Sequence, residues 1–223
     1  MLMQGSLASD ELLDAVRAQP GLATGRRLSH VFHAELPLYD RPLLIADALL
    51  PARPGLAEKA DIVHNAVTLG HALGMAAPRV PVLAAEAAVR ADSMATVDAA
   101  ALCKIAERGQ IAGARLGGPM PFDCAVSPAA VRRRGLDPAV AGRAEILIAP
   151  DQETGSLLAT RLAYLAGAAL CGVVMGARVP HALHRRDDTI DARTAAVALA
   201  RLAAHHGPAA SSDVSALNSP QRI

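Results

Sequence analysis

One stretch of the chain, residues 144–191, limits the possible folds. Two apolar runs, at 146–149 and 171–175, flank a helical run from Thr154 to Gly167. Neither apolar run holds a polar side chain, which is typical of strands buried on both faces of a parallel sheet. Open α/β sheets bind ligands at the carboxyl ends of such strands, so we expect a site in the loops that follow them. The second loop holds the charged run Arg185, Arg186, Asp187 and Asp188.

The rest of the chain repeats this alternation. Apolar runs predict strands at 28–36, 43–46 and 80–85, and residues 117–119 are expected to form a loop. Apolar residues at three- and four-residue steps, with capping and stop signals, predict helices at 9–19, 56–74, 96–108, 128–134 and 191–204. Ser9 and Thr96 are the expected caps of the first and third helices. Strands that alternate with helices indicate an α/β fold with a parallel sheet and right-handed crossovers.

Composition excludes several classes of function. The 22 basic and 21 acidic residues leave a net charge of +1, which argues against a nucleic-acid or polybasic membrane surface. The uncharged run at 162–177 is shorter than the roughly 20 residues that a membrane span needs, and three glycines interrupt it. Three cysteines without C-x-x-C spacing give no disulfide framework or zinc site and fit a reducing cytoplasm. Gly, Pro, Ser and Asn dominate 205–223, so a disordered tail is expected there.

Five segments carry a resemblance to a known family. They are residues 24–32, 98–104 and 118–127, then Pro150-Asp151 with Gly155, and 176–180 ahead of Arg186 and Asp188. In this order they resemble the phosphate acetyl/butyryltransferase family over about residues 1–204. The resemblance implies two three-layer α/β domains similar to the isocitrate and isopropylmalate dehydrogenases, with the active site between them.

The resemblance also implies a division of the chain. Residues 1–39 and 170–204 would form a partial first α/β domain, and 40–169 the second. Family members begin with a further segment, and this chain opens at what resembles the end of that segment. We therefore expect the first domain to be incomplete and the chain to associate as a homodimer, which would cover open strand edges and apolar faces.

The implied reaction moves an acetyl or butyryl-type acyl group between coenzyme A and inorganic phosphate. Coenzyme A is a substrate, and neither a cofactor nor a metal is expected. Arginines would hold the phosphate and stabilise the oxyanion, and a carboxylate could assist as a base. The resemblance assigns catalytic roles to Arg186, Asp188, Arg27 and Ser29.

Each of these assignments has a structural alternative. Arg186 could be a surface arginine paired with a neighbouring aspartate, and Arg27 could lie at a sheet edge. Asp188 could cap the last helix, where a carboxylate also interacts favourably with the helix dipole. The two roles of Asp188 are compatible with each other.

Six further residues match the family's substrate-binding loops: Arg185, Gly118, Phe122, Asp123, Asp151 and Gly155. Ordinary alternatives exist for them, since glycine makes turns, phenylalanine fills cores and aspartate caps helices. Arg185 departs from the family, which has serine there, and we expect its longer side chain to crowd the reacting groups.

Two other functions compete with acyl transfer. A non-catalytic, truncated homologue could bind coenzyme A or a partner without turnover, which the shortened start and Arg185 would favour. A nicotinamide-dependent dehydrogenase is the third reading, but the chain has no G-x-G-x-x-G after its first strand.

Overall fold

A single mixed sheet runs through the computed structural model of the chain, which describes residues 1–5, 7–47, 49–50, 53–184 and 188–206. The sheet has eight strands in the order β1-β8-β7-β2-β3-β6-β4-β5. The strands are β1 Leu2–Met3, β2 Ser29–Glu35, β3 Leu43–Ala46, β4 Arg79–Leu83, β5 Arg115–Met120, β6 Ile146–Ile148, β7 Ala169–Met175 and β8 His181–Leu183. The predicted α/β class is confirmed, but two short strands at one edge, β1 and β8, were not predicted.

The sheet is mixed, so the expectation of a fully parallel sheet is wrong. Strands β3, β6, β4 and β5 run parallel to one another, whereas β2 is antiparallel to both β3 and β7. The connection between β2 and β3 spans only residues 36–42. A parallel crossover needs a dozen or more residues, so this short connection makes a hairpin.

Helices cover both faces of the sheet. They are α1 Ser9–Arg17, α2 Leu56–Ala72, α3 Met94–Glu107, α4 Phe122–Val126, α5 Pro128–Arg134, α6 Gln152–Ala166 and α7 Ile190–His205. Helices α2, α3 and α7 pack on one face, around Val31, Leu44 and Val173. Helices α4, α5 and α6 pack on the other face, around Phe32 and Leu147, and α1 covers Val174 on that same face. The result is a three-layer α/β structure.

Several local predictions need correction. Residues 117–119 belong to β5 instead of a loop. Ala8 and not Ser9 precedes α1, and Thr96 lies inside α3. Such capping residues are common one or two positions from a helix boundary, so sequence locates the boundary only approximately. The longer predicted helices and strands agree with the structure to within a few residues.

The predicted division at residue 39 crosses a continuous part of the sheet. Strand β2 would belong to the first unit and β3 to the second, yet residues 31–34 of β2 pair with the whole of β3. The division into two domains stays a prediction.

A membrane span needs a helix of sufficient length and apolarity, and none of the helices in the described ranges reaches both.

A buried ion pair joins α2 to α3. The Nζ of Lys59 donates to an Oδ of Asp98 at 2.7 Å, and their side chains are only 7% and 12% exposed. Two charges taken out of water are costly unless each compensates the other. The pair therefore fixes how these helices meet over the sheet.

We expect Lys59→Met to lower the free energy of unfolding by about 3–5 kcal/mol, because it leaves the Asp98 carboxylate buried without its partner. The double variant Lys59→Met/Asp98→Leu should recover most of this loss. Urea denaturation followed by circular dichroism measures both. Lys104→Met is the matched control, since Lys104 pairs with Glu107 on the exposed surface of α3. Equal losses for Lys59→Met and Lys104→Met would contradict the assignment.

Candidate active site

A cavity of about 620 Å³ lies between α1 and α6, over β2, and we call it the α1–α6 cavity. Its apolar lining consists of Leu7, Ala8, Leu13, Phe32, Leu49, Leu50 and Leu183. Its polar lining consists of Gln4, Ser9, Asp10, His30, Gln152, His184, Asp188 and Arg193, with Gly5 between them. An apolar cavity with a few charged groups is the usual form of a small-molecule site.

His30 is the most unusual group in this wall. The side chain is only 1% exposed, and its Nδ1 has no hydrogen-bond partner among the residues that the structure describes. Burial lowers the pKa of His30 to about 3. The imidazole is therefore neutral at physiological pH.

The sheet makes room for this imidazole. Its ring lies against Gly172 of β7, where any Cβ would overlap the ring atoms. Phe32 packs edge-on against the same ring, with centroids 4.4 Å apart. Glycine at 172 and phenylalanine at 32 thus hold the imidazole in one place.

Asp47 holds the loop that follows β3. One carboxylate oxygen accepts the backbone N–H groups of Leu49 and Leu50, both at 2.8 Å. The other accepts the backbone N–H of His30 at 2.9 Å. Because Leu49, Leu50 and His30 all line the α1–α6 cavity, this one carboxylate connects two of its walls.

The amino-terminal end of α6 forms another wall. Asp151 caps the helix by accepting the N–H of Thr154 at 2.8 Å, which confirms the ordinary alternative for this aspartate. The next residue, Gln152, lines the cavity. Gly155 lies one turn on, and a Cβ there would overlap the backbone carbonyl oxygen of Asp47. Gly155 therefore allows α6 to approach the loop after β3.

Asp188 also lies in the wall of the α1–α6 cavity, with Arg193. The backbone carbonyl of Asp188 accepts the Nε of Arg193 at 3.2 Å. Thr189 and not Asp188 caps α7, since its hydroxyl accepts the N–H of Ala192. The expected cap at Asp188 is wrong by one residue. Arg185 and Arg186 lie outside the described residues.

Arg27 and Ser29 point away from this cavity. A guanidinium nitrogen of Arg27 lies 2.6 Å from a carboxylate oxygen of Glu58 on α2. The hydroxyl of Ser29 is buried and accepts a hydrogen bond from the amide of Asn65 on α2 at 2.8 Å. Arg27 lines a separate cavity of about 320 Å³. Their catalytic roles stay predictions.

Gly118, Phe122 and Asp123 lie at the far edge of the sheet, in and after β5. Gly118 packs closely on β4, where an added Cβ would lie 2.8 Å from the Val82 carbonyl oxygen. Asp123 forms an exposed ion pair with Arg134 at 3.1 Å. Strands β3, β6 and β4 separate β5 from β2, so this group does not line the α1–α6 cavity.

The fold is similar to those of solved structures of different activities. A branched-chain phosphotransacylase from Enterococcus faecalis V583 matches with a TM-score of 0.83 and 26% identity, over 92% of this chain and 74% of that one. A putative 4-hydroxythreonine-4-phosphate dehydrogenase from Salmonella typhimurium shares the fold at a TM-score of 0.52 and 14% identity, over 90% of this chain and 63% of that one.

The chain belongs to the family described as phosphate acetyl/butaryl transferase, whose model matches residues 1–200. It is 47% identical over 203 residues to the phosphate acetyltransferase of Rhizobium meliloti, which covers 91% of this chain and 64% of that protein. It is 35% identical over 205 residues to the phosphate butyryltransferase of Clostridium acetobutylicum, over 92% of this chain and 68% of that protein. Against a Rickettsia felis phosphate acetyltransferase it spans 59% of the relative's length.

Sequence reasoning did not single out His30 or Asp47. The signal for His30 was a histidine two residues before Phe32 in a strand that also holds Ser29, His33 and Glu35, opposite a strand that contains Gly172. That signal needs the register of β2 on β7, which pairs Phe32 with Gly172 and His30 with Val174. Asp47 follows β3 directly, where a carboxylate can bind the N–H groups of a turn.

We expect Gly155→Ala to destabilise the fold by about 1–3 kcal/mol, because the new methyl group meets a backbone carbonyl that cannot rotate away. This cost exceeds the roughly 1 kcal/mol that alanine gains over glycine inside a helix. Urea denaturation measures the change. Gly21→Ala is the control, since nothing lies within 4 Å of its added Cβ. A Gly155→Ala variant as stable as the natural chain would contradict this packing role.

Proposed function

We propose that this chain transfers an acetyl or butyryl-type acyl group between coenzyme A and inorganic phosphate, converting acyl-CoA and phosphate into acyl phosphate and coenzyme A. One observation carries the proposal: the family match covers residues 1–200 and includes both acetyl and butyryl relatives. The chain spans less than two thirds of the phosphate acetyltransferases of Rhizobium meliloti and Rickettsia felis. Activity of this shorter chain is therefore part of the proposal.

The lining of the α1–α6 cavity supports this chemistry. Leucines and Phe32 provide an apolar surface for an acyl group, and Asp188, Arg193 and His184 provide a polar region. The amino-terminal end of α6 reaches the same space, and helix amino termini favour anions. An acyl group and a phosphate can therefore meet in one cavity.

The proposed roles follow the resemblance. Arg186 binds phosphate and the reacting carbonyl, and Asp188 orients the ligand or accepts a proton. Asp188 is supported by its place in the cavity wall. Arg27, Ser29, Gly118, Phe122 and Asp123 have proposed roles by resemblance alone, as does Arg185.

The test is release of free coenzyme A from acetyl-CoA and from butyryl-CoA in the presence of phosphate. Phosphate-dependent release supports the proposed function. Coenzyme A binding without release would favour the alternative, a non-catalytic homologue.

We expect Arg186→Gln to weaken phosphate use far more than coenzyme A binding. Losing a charged hydrogen-bond partner costs about 1.5–3 kcal/mol, which is roughly ten- to a hundredfold in the phosphate KM or in kcat/KM. The matched control is Arg201→Gln, at an exposed position on α7. An unchanged phosphate KM and kcat in Arg186→Gln would reject the role.

A homodimer in the cytoplasm is the proposed working form. Tyr164, Leu165 and Ile190 are 73%, 84% and 82% exposed. Tyr164 borders a cavity of about 510 Å³ between α6 and α7, whose lining combines alanines, Phe32 and Leu170 with the carboxylates of Glu35, Asp188 and Asp191. Exposed apolar surface of this kind is commonly covered by association.

We expect light scattering to give the mass of two chains at micromolar concentration. Tyr164→Asp/Leu165→Asp should shift the mass to one chain, because the new charges would have to be buried on association. Leu38→Asp, on the fully exposed side chain of the β2–β3 connection, is the control for a surface charge elsewhere. A monomeric natural chain would contradict the proposed homodimer.

A further inference from the structure

We propose that His30 is a catalytic residue whose imidazole N–H donates a hydrogen bond to the carbonyl oxygen of the acyl group in the α1–α6 cavity. This inference rests on the proposed function. It assigns a role to a buried polar group that has no hydrogen-bond partner among the described residues.

The first argument is the cost of this side chain. A buried polar atom without a hydrogen bond costs about 1–3 kcal/mol. Nδ1 of His30 has no partner in the described part of the chain, although the ring is almost fully buried. Nδ1 has less than 1 Å² of accessible surface, but the ring lines the α1–α6 cavity, so a small turn of the ring would let a polar ligand there supply the missing bond.

The second argument is the space kept for the ring. Gly172 on the neighbouring strand has no Cβ, so the imidazole can occupy that space. Phe32 packs against the imidazole. The backbone N–H of His30 is held by the Asp47 carboxylate at 2.9 Å. The Asp47 bond fixes the backbone and the packing confines the ring, so the donor needs only a small movement when charge develops on a bound carbonyl.

The chemistry of the wall selects the carbonyl over the phosphate. Phe32 packs against the ring, and Leu49, Leu50 and Leu183 line the same cavity, which suits an acyl chain better than a dianion. The ionisable side chains of the lining other than His30 come from other elements than β2: Asp10 on α1, His184 and Asp188 between β8 and α7, and Arg193 on α7. The wall from α6 and the loop after β3 contributes Gln152, Leu49 and Leu50, which are uncharged.

The step is balanced without a change in the protonation of His30. A phosphate oxygen forms a bond to the thioester carbon, and the C=O π pair moves onto oxygen. The His30 N–H stabilises that oxyanion as a neutral donor, a role that a histidine with a lowered pKa can perform. The C=O bond then re-forms, the C–S bond breaks, and the thiolate leaves with the electron pair and takes up, through water, the proton that the attacking hydrogen phosphate loses.

The kinetic test compares three variants with butyryl-CoA and phosphate. His30→Leu removes the donor, and His30→Gln keeps an N–H donor. His181→Leu is the matched control. His181 is also buried, its ring nitrogens have no partner in the described part of the chain, and it pairs with Val174, which in turn pairs with His30. It is not among the residues that line the cavity. We expect kcat to fall about 10²–10³-fold in His30→Leu, as for loss of one oxyanion donor. His30→Gln should lose less, and in all three variants the Kd of coenzyme A should stay within about threefold of the natural value.

A binding measurement separates this inference from the proposed function. Butyryl-CoA labelled with ¹³C at its carbonyl, bound without phosphate, should show its C=O infrared band at lower frequency than in water-free apolar solvent. The band should move back up in His30→Leu and stay low in His30→Gln and His181→Leu. If the natural chain shows this pattern of band shifts but no turnover, the transferase activity is rejected and the hydrogen bond from His30 is still supported.

Other results would overturn the inference. They are an equal carbonyl frequency in the natural chain and His30→Leu, an equal kcat in those two proteins, or an effect of His181→Leu as large as that of His30→Leu. Failure of the natural chain to bind butyryl-CoA would reject the inference and the proposed function together. Circular dichroism shows whether His30→Leu is folded. If it is not, the test rests on His30→Gln, which keeps an N–H donor. Loss of the low-frequency carbonyl band in folded His30→Gln would count against the hydrogen bond.

Discussion

The carboxylate of Asp47 is the interaction on which the site depends. It accepts the N–H groups of Leu49 and Leu50 in its own loop and of His30 on the adjacent strand. Hydrogen bonds to an ionised acceptor are shorter and stronger than neutral ones. Helix α6 then packs on the carbonyl of the same residue through Gly155. Strand β2, the loop after β3 and α6 are thus positioned together, and the cavity lies between them.

Long periodic elements could be predicted from the sequence, because their apolar spacing is set by their own burial. Helices α2, α3 and α7 are long enough for several turns to carry the pattern. Strands β1 and β8 have two and three residues, too few for any periodicity. The antiparallel direction of β2 depends on the short connection to β3 and on its pairing with β7. The spacing of apolar residues along the chain contains no information about either.

The candidate site could be predicted only in part. Family motifs indicated Asp188, Asp151 and Gly155, and the structure places these at or beside one cavity through α6 and the start of α7. The same motifs indicated Gly118 and Ser29, which lie at the far sheet edge and against α2. His30 could not be found this way, because its setting depends on Gly172, which pairs with the strand from far along the chain.

The position of β2 has a consequence for how the molecule assembles. Its hairpin with β3 is local, but its other neighbour is β7, so that Ser29 faces Met175 across the sheet. Pairings between distant parts of a chain form slowly, because a long loop must close before any contact rewards it. During synthesis the first third of the chain would therefore wait, with one side of β2 uncovered, until β7 has emerged. Leu183 of β8 and Arg193 of α7 also line the cavity, so the cavity forms only after these two elements have packed onto the sheet.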